Sequence, residues 1–188
     1  MIAGVDATFL LYLFAPTGQV GVPLDSNDQP ITMAKERVQG LVDELEKIGA
    51  TIIVATPALS EIMIRSGVQA GQTWLGMMNK SKAFKVVAFD AKSAIEVALM
   101  SGHAVKGENG HVASDGTHAK LKYDRQIVAI AHTEGATTFY TDDRNQTNLA
   151  KRFGMTVKGL ADCPIPTTAA QIPMTLQGGH GSELTKDH

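Results

Sequence analysis

Six carboxylates stand at positions whose chemistry needs an explanation. Asp6 interrupts the apolar opening "MIAGVDATFLLYLF", and Glu61 follows "TIIVATPALS". Asp90 closes "FKVVAFD", Asp124 opens "DRQIVAIA", and Asp142 and Asp143 close "ATTFYTDD". An ionised aspartate inside an apolar segment is costly unless a donor or a cation compensates it, or the strand ends there. Each residue has an ordinary reading. Asp6 and Asp90 suit helix N-caps, Glu61 and Asp124 favour the first turn of a helix, and "TDD" reads as a turn plus a cap. Brought together, they read differently: anions at one place repel, and a divalent cation such as Mg²⁺ or Mn²⁺ relieves them. Which reading holds depends on the elements that carry them.

"IAGV" (2–5) reads as a short buried strand, and "ATFLLYLF" (7–14) as a helix capped by Asp6. Residues 16–31, rich in Gly, Pro, Asp and Asn, form a loop of unusual length. An amphipathic helix opens at Thr32 and stops at Gly49, burying Val38, Leu41, Val42, Leu45 and Ile48. "TIIVAT" and "FKVVAF" are apolar without alternation, the pattern of strands covered on both faces. Pro57 suits the first turn of a helix that carries Glu61, and further helices cover "TWLGMMNK" and "AKSAIEVALM". Residues 101–122, with four Gly and three His, read as a mobile insertion. A helix at "YDRQIVAIAHTEG", a strand at "ATTFYT", a helix at "NQTNLAKRFG" and a strand at "MTVKGL" follow. Residues 161–188 form a Pro- and Gly-rich tail, leaving 1–160 as the folded domain.

Strands alternating with helices predict an α/β fold, a parallel sheet covered on both faces. Ligand sites in such sheets gather at the carboxyl ends of the strands. By that rule Asp6, Glu61, Asp90, Asp142 and Asp143 approach one edge, and Asp124 opens a helix that feeds the same layer.

The 188 residues carry a formal charge of −2, so any grip on a polyanion must be local. Candidates are Arg125, Arg144, Lys151 and Arg152, with Lys106, Lys120 and Lys122 in the insertion; a solvated surface is their ordinary reading. The single cysteine, Cys163, allows no intramolecular disulfide, has no histidine near it, and reads as a buried or incidental thiol. His103, His111 and His118 are spaced too widely for a zinc site. Trp74, Met77 and Met78 suit the core better than a stacking patch. No stretch has the ~20 apolar residues of a membrane span, and no basic segment precedes the first apolar run, so a cytoplasmic protein is expected.

"GVDATFLLYL", "TPALSEIM", "YDRQIVAIA" and "FYTDDRN" together resemble, in order and spacing, the four acidic motifs of the PIN-domain family. The resemblance covers roughly residues 2 to 158. It implies a three-layer α/β/α sandwich with a central parallel sheet and, in most members, an Mg²⁺- or Mn²⁺-dependent ribonuclease, including the toxins of VapBC-type toxin–antitoxin pairs. On this resemblance Asp6, Glu61, Asp124 and Asp143 are the catalytic, metal-holding set, with Asp142 an additional ligand. Thr8 and Thr141 then stand behind the carboxylates, and Asp90 remains a cap. The implied partners are an RNA substrate, an antitoxin protein and a second copy of the chain. The long 16–31 loop, the 101–122 insertion and the tail depart from the compact toxins.

Two other readings stand beside this one. A phosphatase with an aspartate nucleophile at Asp6 would want a second aspartate two residues on, where Thr8 stands. A PIN-like binding module or scaffold would keep the fold with little or no catalysis.

Overall fold

The structure is a computed structural model that describes residues 1–16, 20–25, 28–102 and 115–165. Among these, five strands form one sheet: β1 (Ile2–Val5), β2 (Thr51–Ala55), β3 (Phe84–Val87), β4 (Thr138–Tyr140) and β5 (Thr156–Lys158). Their order is β3-β2-β1-β4-β5 and every pairing is parallel. Between them run α1 (Ala7–Phe14), α2 (Ala34–Lys47), α3 (Thr56–Ser66), α4 (Val68–Lys80), α5 (Ala91–Gly102), α6 (Asp115–Thr133) and α7 (Arg144–Arg152).

The strand order fixes the layers. From β1 the chain moves outward through β2 to β3, then returns past β1 to β4 and on to β5. Right-handed crossovers therefore set α1–α4 on one face and α5–α7 on the other. The contacts agree: α1 packs on α2 and α3, while α6 packs on α5, α7, β1 and β2. This is the three-layer α/β/α arrangement expected from the alternation of elements. Its reversal of direction lies between β1 and β4, the position at which such sheets open a crevice beyond their carboxyl ends.

The centre is dry. Phe9, Leu10, Ile52, Ile53, Ile62, Ile127, Ile130 and Phe139 are all fully buried, so β1, β2 and β4 are covered on both faces as their unalternating sequences require. Gly4 makes one part of this packing possible. A Cβ there would stand 2.6 Å from Phe139 and 2.7 Å from Ala131, so its absence lets α6 lie close on β1.

Three expectations need correction. "FKVVAF" is an edge strand, shorter than expected and only partly covered; Lys85 in it is exposed and pairs with Glu134 at 2.6 Å. The helix expected from Tyr123 begins at Asp115, so residues 115–122 belong to α6 rather than to an insertion. That stretch lacks the apolar periodicity that marks a packed face, although Ala119, Lys120, Leu121 and Lys122 are good helix formers. Asp124 accordingly sits inside the helix and does not open it. Residues 101–102 of the proposed insertion end α5, while 103–114 and the tail from 166 lie outside the described residues; Ala161 and Cys163 are held by their carbonyls to the Arg37 guanidinium at 3.2 and 3.0 Å. Trp74 and Met78 are core residues, Trp74 stacked on Phe14 with ring centroids 5.8 Å apart. Met77 is exposed.

Candidate functional site

The parallel register pairs Val5 with Tyr140, so the next residues, Asp6 and Thr141, leave the sheet side by side. Asp6 caps α1, its Oδ1 accepting the Phe9 N–H at 2.8 Å. Its Oδ2 accepts the Thr141 hydroxyl at 2.6 Å, and that hydroxyl oxygen accepts the Asp143 N–H at 3.0 Å. Asp143 caps α7 in turn, with Oδ1 accepting from Asn145 N–H at 2.8 Å and Gln146 N–H at 3.1 Å. One hydroxyl thus ties the Asp6 carboxylate to the Asp143 backbone, across the ends of adjacent strands.

Asp124 reaches the same place from α6. It is 4% exposed, and its Oδ1 accepts from the Gln146 amide at 3.0 Å. Its Oδ2 and the Gln146 Oε1 are buried without a hydrogen-bond partner. Glu61 projects from α3, paired through Oε1 with Arg65 at 2.9 Å one turn along. Asp6, Thr8, Glu61, Lys120, Asp124 and Asp143 all line one cavity of about 340 Å³, with Arg65, Tyr123 and Gln146 also on its wall.

Burial dominates the electrostatics of this cavity. It pushes Asp6 up to about 7, against the Thr141 and Phe9 hydrogen bonds that favour its ionised form, and the charges of Asp142 and Asp143 push the same way as burial. Burial, with the charge of Asp143, takes Asp124 up to about 6. Asp143 is the opposite case. Burial raises it, but the Lys120 ammonium and the Gln146 and Asn145 N–H groups together outweigh burial and leave it below the ordinary carboxylate value. The Lys120 Nζ, 2.8 Å from Asp143 Oδ2, is raised by that contact.

Four of the five carboxylates proposed as metal ligands therefore share one cavity. Asp142 does not: its two oxygens accept the Leu160 N–H at 3.1 and 3.2 Å, closing the turn after β5, and it is absent from the cavity wall. Asp90 is a cap, accepting the Ser93 N–H at 2.8 Å. Cys163 is buried, its thiol pushed up to about 12 chiefly by that burial. Arg144, Lys151, Arg152 and Lys122 are exposed, and Arg125 is half-buried. His103, Lys106 and His111 lie outside the described residues, and His118 falls within α6. Gln146 and Arg65 were not anticipated from the sequence. The place of Lys120, one turn before Asp124, follows once α6 is known to start early.

Among the described residues, no three His, Cys, Asp or Glu side chains are drawn together tightly enough to form a ligand set as they stand. The donor chemistry nonetheless fits a hard divalent ion: carboxylate oxygens from four elements, and two buried acceptors left without a donor.

No family profile and no curated protein sequence matches the chain. Among solved structures, it matches a chain of VapBC2 from Rickettsia felis, crystallised bound to a DNA fragment from their promoter. That match has a TM-score of 0.53 at 15% identity and covers 85% of this chain and 98% of the other. At that identity the likeness establishes a shared fold. Among the described residues, no helix is long and apolar enough to cross a membrane.

Proposed function

We propose that this chain is a metal-dependent endoribonuclease of the PIN type, hydrolysing RNA phosphodiester bonds at the carboxylate cavity and serving as the toxin of a toxin–antitoxin pair. The observation that carries this reading is the meeting of Asp6, Glu61, Asp124 and Asp143, from four separate elements, on one cavity at the sheet's switch point. The unpartnered Asp124 Oδ2 supports it, since a buried charge-bearing oxygen without a donor is rare unless function keeps it so. The fold shared with a VapBC2 chain supports the family, and with it an antitoxin, a second copy of the chain and RNA as partners.

On this reading Asp6, Asp124 and Asp143 hold Mg²⁺ or Mn²⁺, and Glu61 either joins them or orients the attacking water. When bound, the ion supplies a more acidic water and relieves charge on the phosphate. Thr141 fixes the orientation of the Asp6 carboxylate and the Asp143 backbone, and Thr8 lines the wall where a phosphate oxygen would rest. Asp142 is left out of the ligand set because it is engaged with Leu160.

The test is cleavage of RNA by the purified full chain with Mg²⁺ or Mn²⁺, with excess EDTA, and for Asp6→Asn. Cleavage only with metal, and its loss in Asp6→Asn with an unchanged circular-dichroism spectrum, supports the reading. Undiminished cleavage by Asp6→Asn overturns it. A scaffold with the same fold is the second reading, favoured by the ion pairs that Lys120 and Arg65 make with two of the four acids. Calorimetry with no heat of divalent-ion binding would select it.

A further inference from the structure

Lys120, on α6, is held against an acid of the cavity that belongs to a different element, the Asp143 cap of α7. Asp143 Oδ1 already accepts two backbone N–H groups, so Oδ2 is the oxygen it has left for a cation, and the Lys120 ammonium rests on it at 2.8 Å. Lys120 precedes Asp124 by four residues on α6, so the two share a helix face and a cavity wall. The ammonium is tethered by a flexible four-carbon stem and its side chain is 61% exposed, so it leaves Oδ2 without disturbing the fold. Independently, the buried Oδ2 of Asp124, a residue 4% exposed, has no hydrogen-bond partner and marks a place for positive charge that Lys120 does not fill.

We propose that Lys120 is the cavity's built-in counter-ion, holding Asp143 Oδ2 while no divalent ion is present and releasing it to bind a backbone phosphate of the entering RNA strand once one is. This rests on the nuclease reading above. It makes Lys120 a positioning residue with effects of opposite sign on two ligands: it weakens metal binding, because the ion must displace it, and strengthens nucleic-acid binding, because it is then free beside the cavity.

The experiment titrates Mn²⁺ calorimetrically into the metal-free full chain. It also measures, at saturating Mn²⁺, the fluorescence anisotropy of a short cleavage-resistant phosphorothioate oligoribonucleotide. Lys120→Met is expected to bind Mn²⁺ about threefold to fivefold more tightly, the scale of an exposed ion pair, and to bind the oligonucleotide several-fold more weakly. Lys120→Arg should restore the oligonucleotide affinity, and Lys122→Met, an equal charge change outside the cavity, should leave Mn²⁺ affinity unchanged. Equal Mn²⁺ affinity in wild type and Lys120→Met overturns the counter-ion role while the nuclease reading stands. Unchanged oligonucleotide affinity overturns the phosphate role, and no Mn²⁺ binding by either protein overturns both the proposal and the reading beneath it.

Discussion

The Thr141 hydroxyl donates to Asp6 Oδ2 across 2.6 Å although 135 residues separate the two in sequence. The bond exists because β1 and β4 are neighbours in register, so the residues that follow them emerge side by side. It also links the caps of two helices, since the same hydroxyl oxygen accepts the Asp143 N–H. Thr141→Val keeps the shape and removes both functions, leaving a buried carboxylate oxygen and a backbone N–H without partners. A loss of about 1–3 kcal/mol is expected from urea unfolding. Thr141→Ser should recover most of it.

Asp6 and Asp124 are harder to keep charged in the fold than in water, which makes them poor choices for stability alone. Replacing Asp124 by Asn should therefore leave the metal-free protein as stable as wild type, or more so, at slightly alkaline pH. It should also remove most of the rise in melting temperature that Mn²⁺ gives the wild type. Scanning calorimetry with and without Mn²⁺ separates the two effects. A large loss of stability in the metal-free variant would mean that the carboxylate is structural.

Much of this arrangement was legible in the sequence, and the reasons are local. Asp6, Asp90 and Asp143 follow short apolar strands, and each caps the helix that comes next, so strand, acid and helix start are all encoded within a few residues. Convergence was readable because β-α alternation restricts where strand ends can go. The different placement of Asp142 was not legible because "TDD" offers two adjacent carboxylates, and only the distant Leu160 N–H decides which turns away. The early start of α6 was hidden because its first turns carry no apolar stripe. Gln146 gave no signal either: its amide meets Asp124 only after α6 and α7 have packed together.

Gly4→Ala tests whether the close seating of α6 positions Asp124. The added Cβ would meet Phe139 in β4 at 2.6 Å and Ala131 in α6 at 2.7 Å, so the helix or the ring must shift. Overpacking of this kind costs about 1–3 kcal/mol. Because α6 carries both Lys120 and Asp124, Mn²⁺ affinity should fall along with stability. A variant destabilised to that extent but with unchanged Mn²⁺ affinity would show that the site tolerates movement of α6.

The two buried acids of the cavity should contribute to the pH dependence of the metal-free protein with a sign opposite to that of a carboxylate stabilised in its ionised form. Asp6 rises from 3.8 to about 7 and Asp124 from 3.8 to about 6, chiefly through burial. Between 3.8 and those values the folded state therefore holds more protons than the unfolded chain, and stability falls as pH rises. The contribution of these two groups is fully present below about 3.8 and is lost as pH climbs through 6 to 7. Asp143, lowered by Lys120 and its N–H donors, works the other way, losing its contribution as pH falls into the acid range. Urea midpoints should consequently be lower at about pH 8 than at about pH 5 without metal, and Asp6→Asn should flatten that difference. A divalent ion requires ionised carboxylates, so its binding at about pH 6 should release protons. Titrations of Mn²⁺ in two buffers of different ionisation heat measure that release, and it should shrink in both Asp6→Asn and Asp124→Asn.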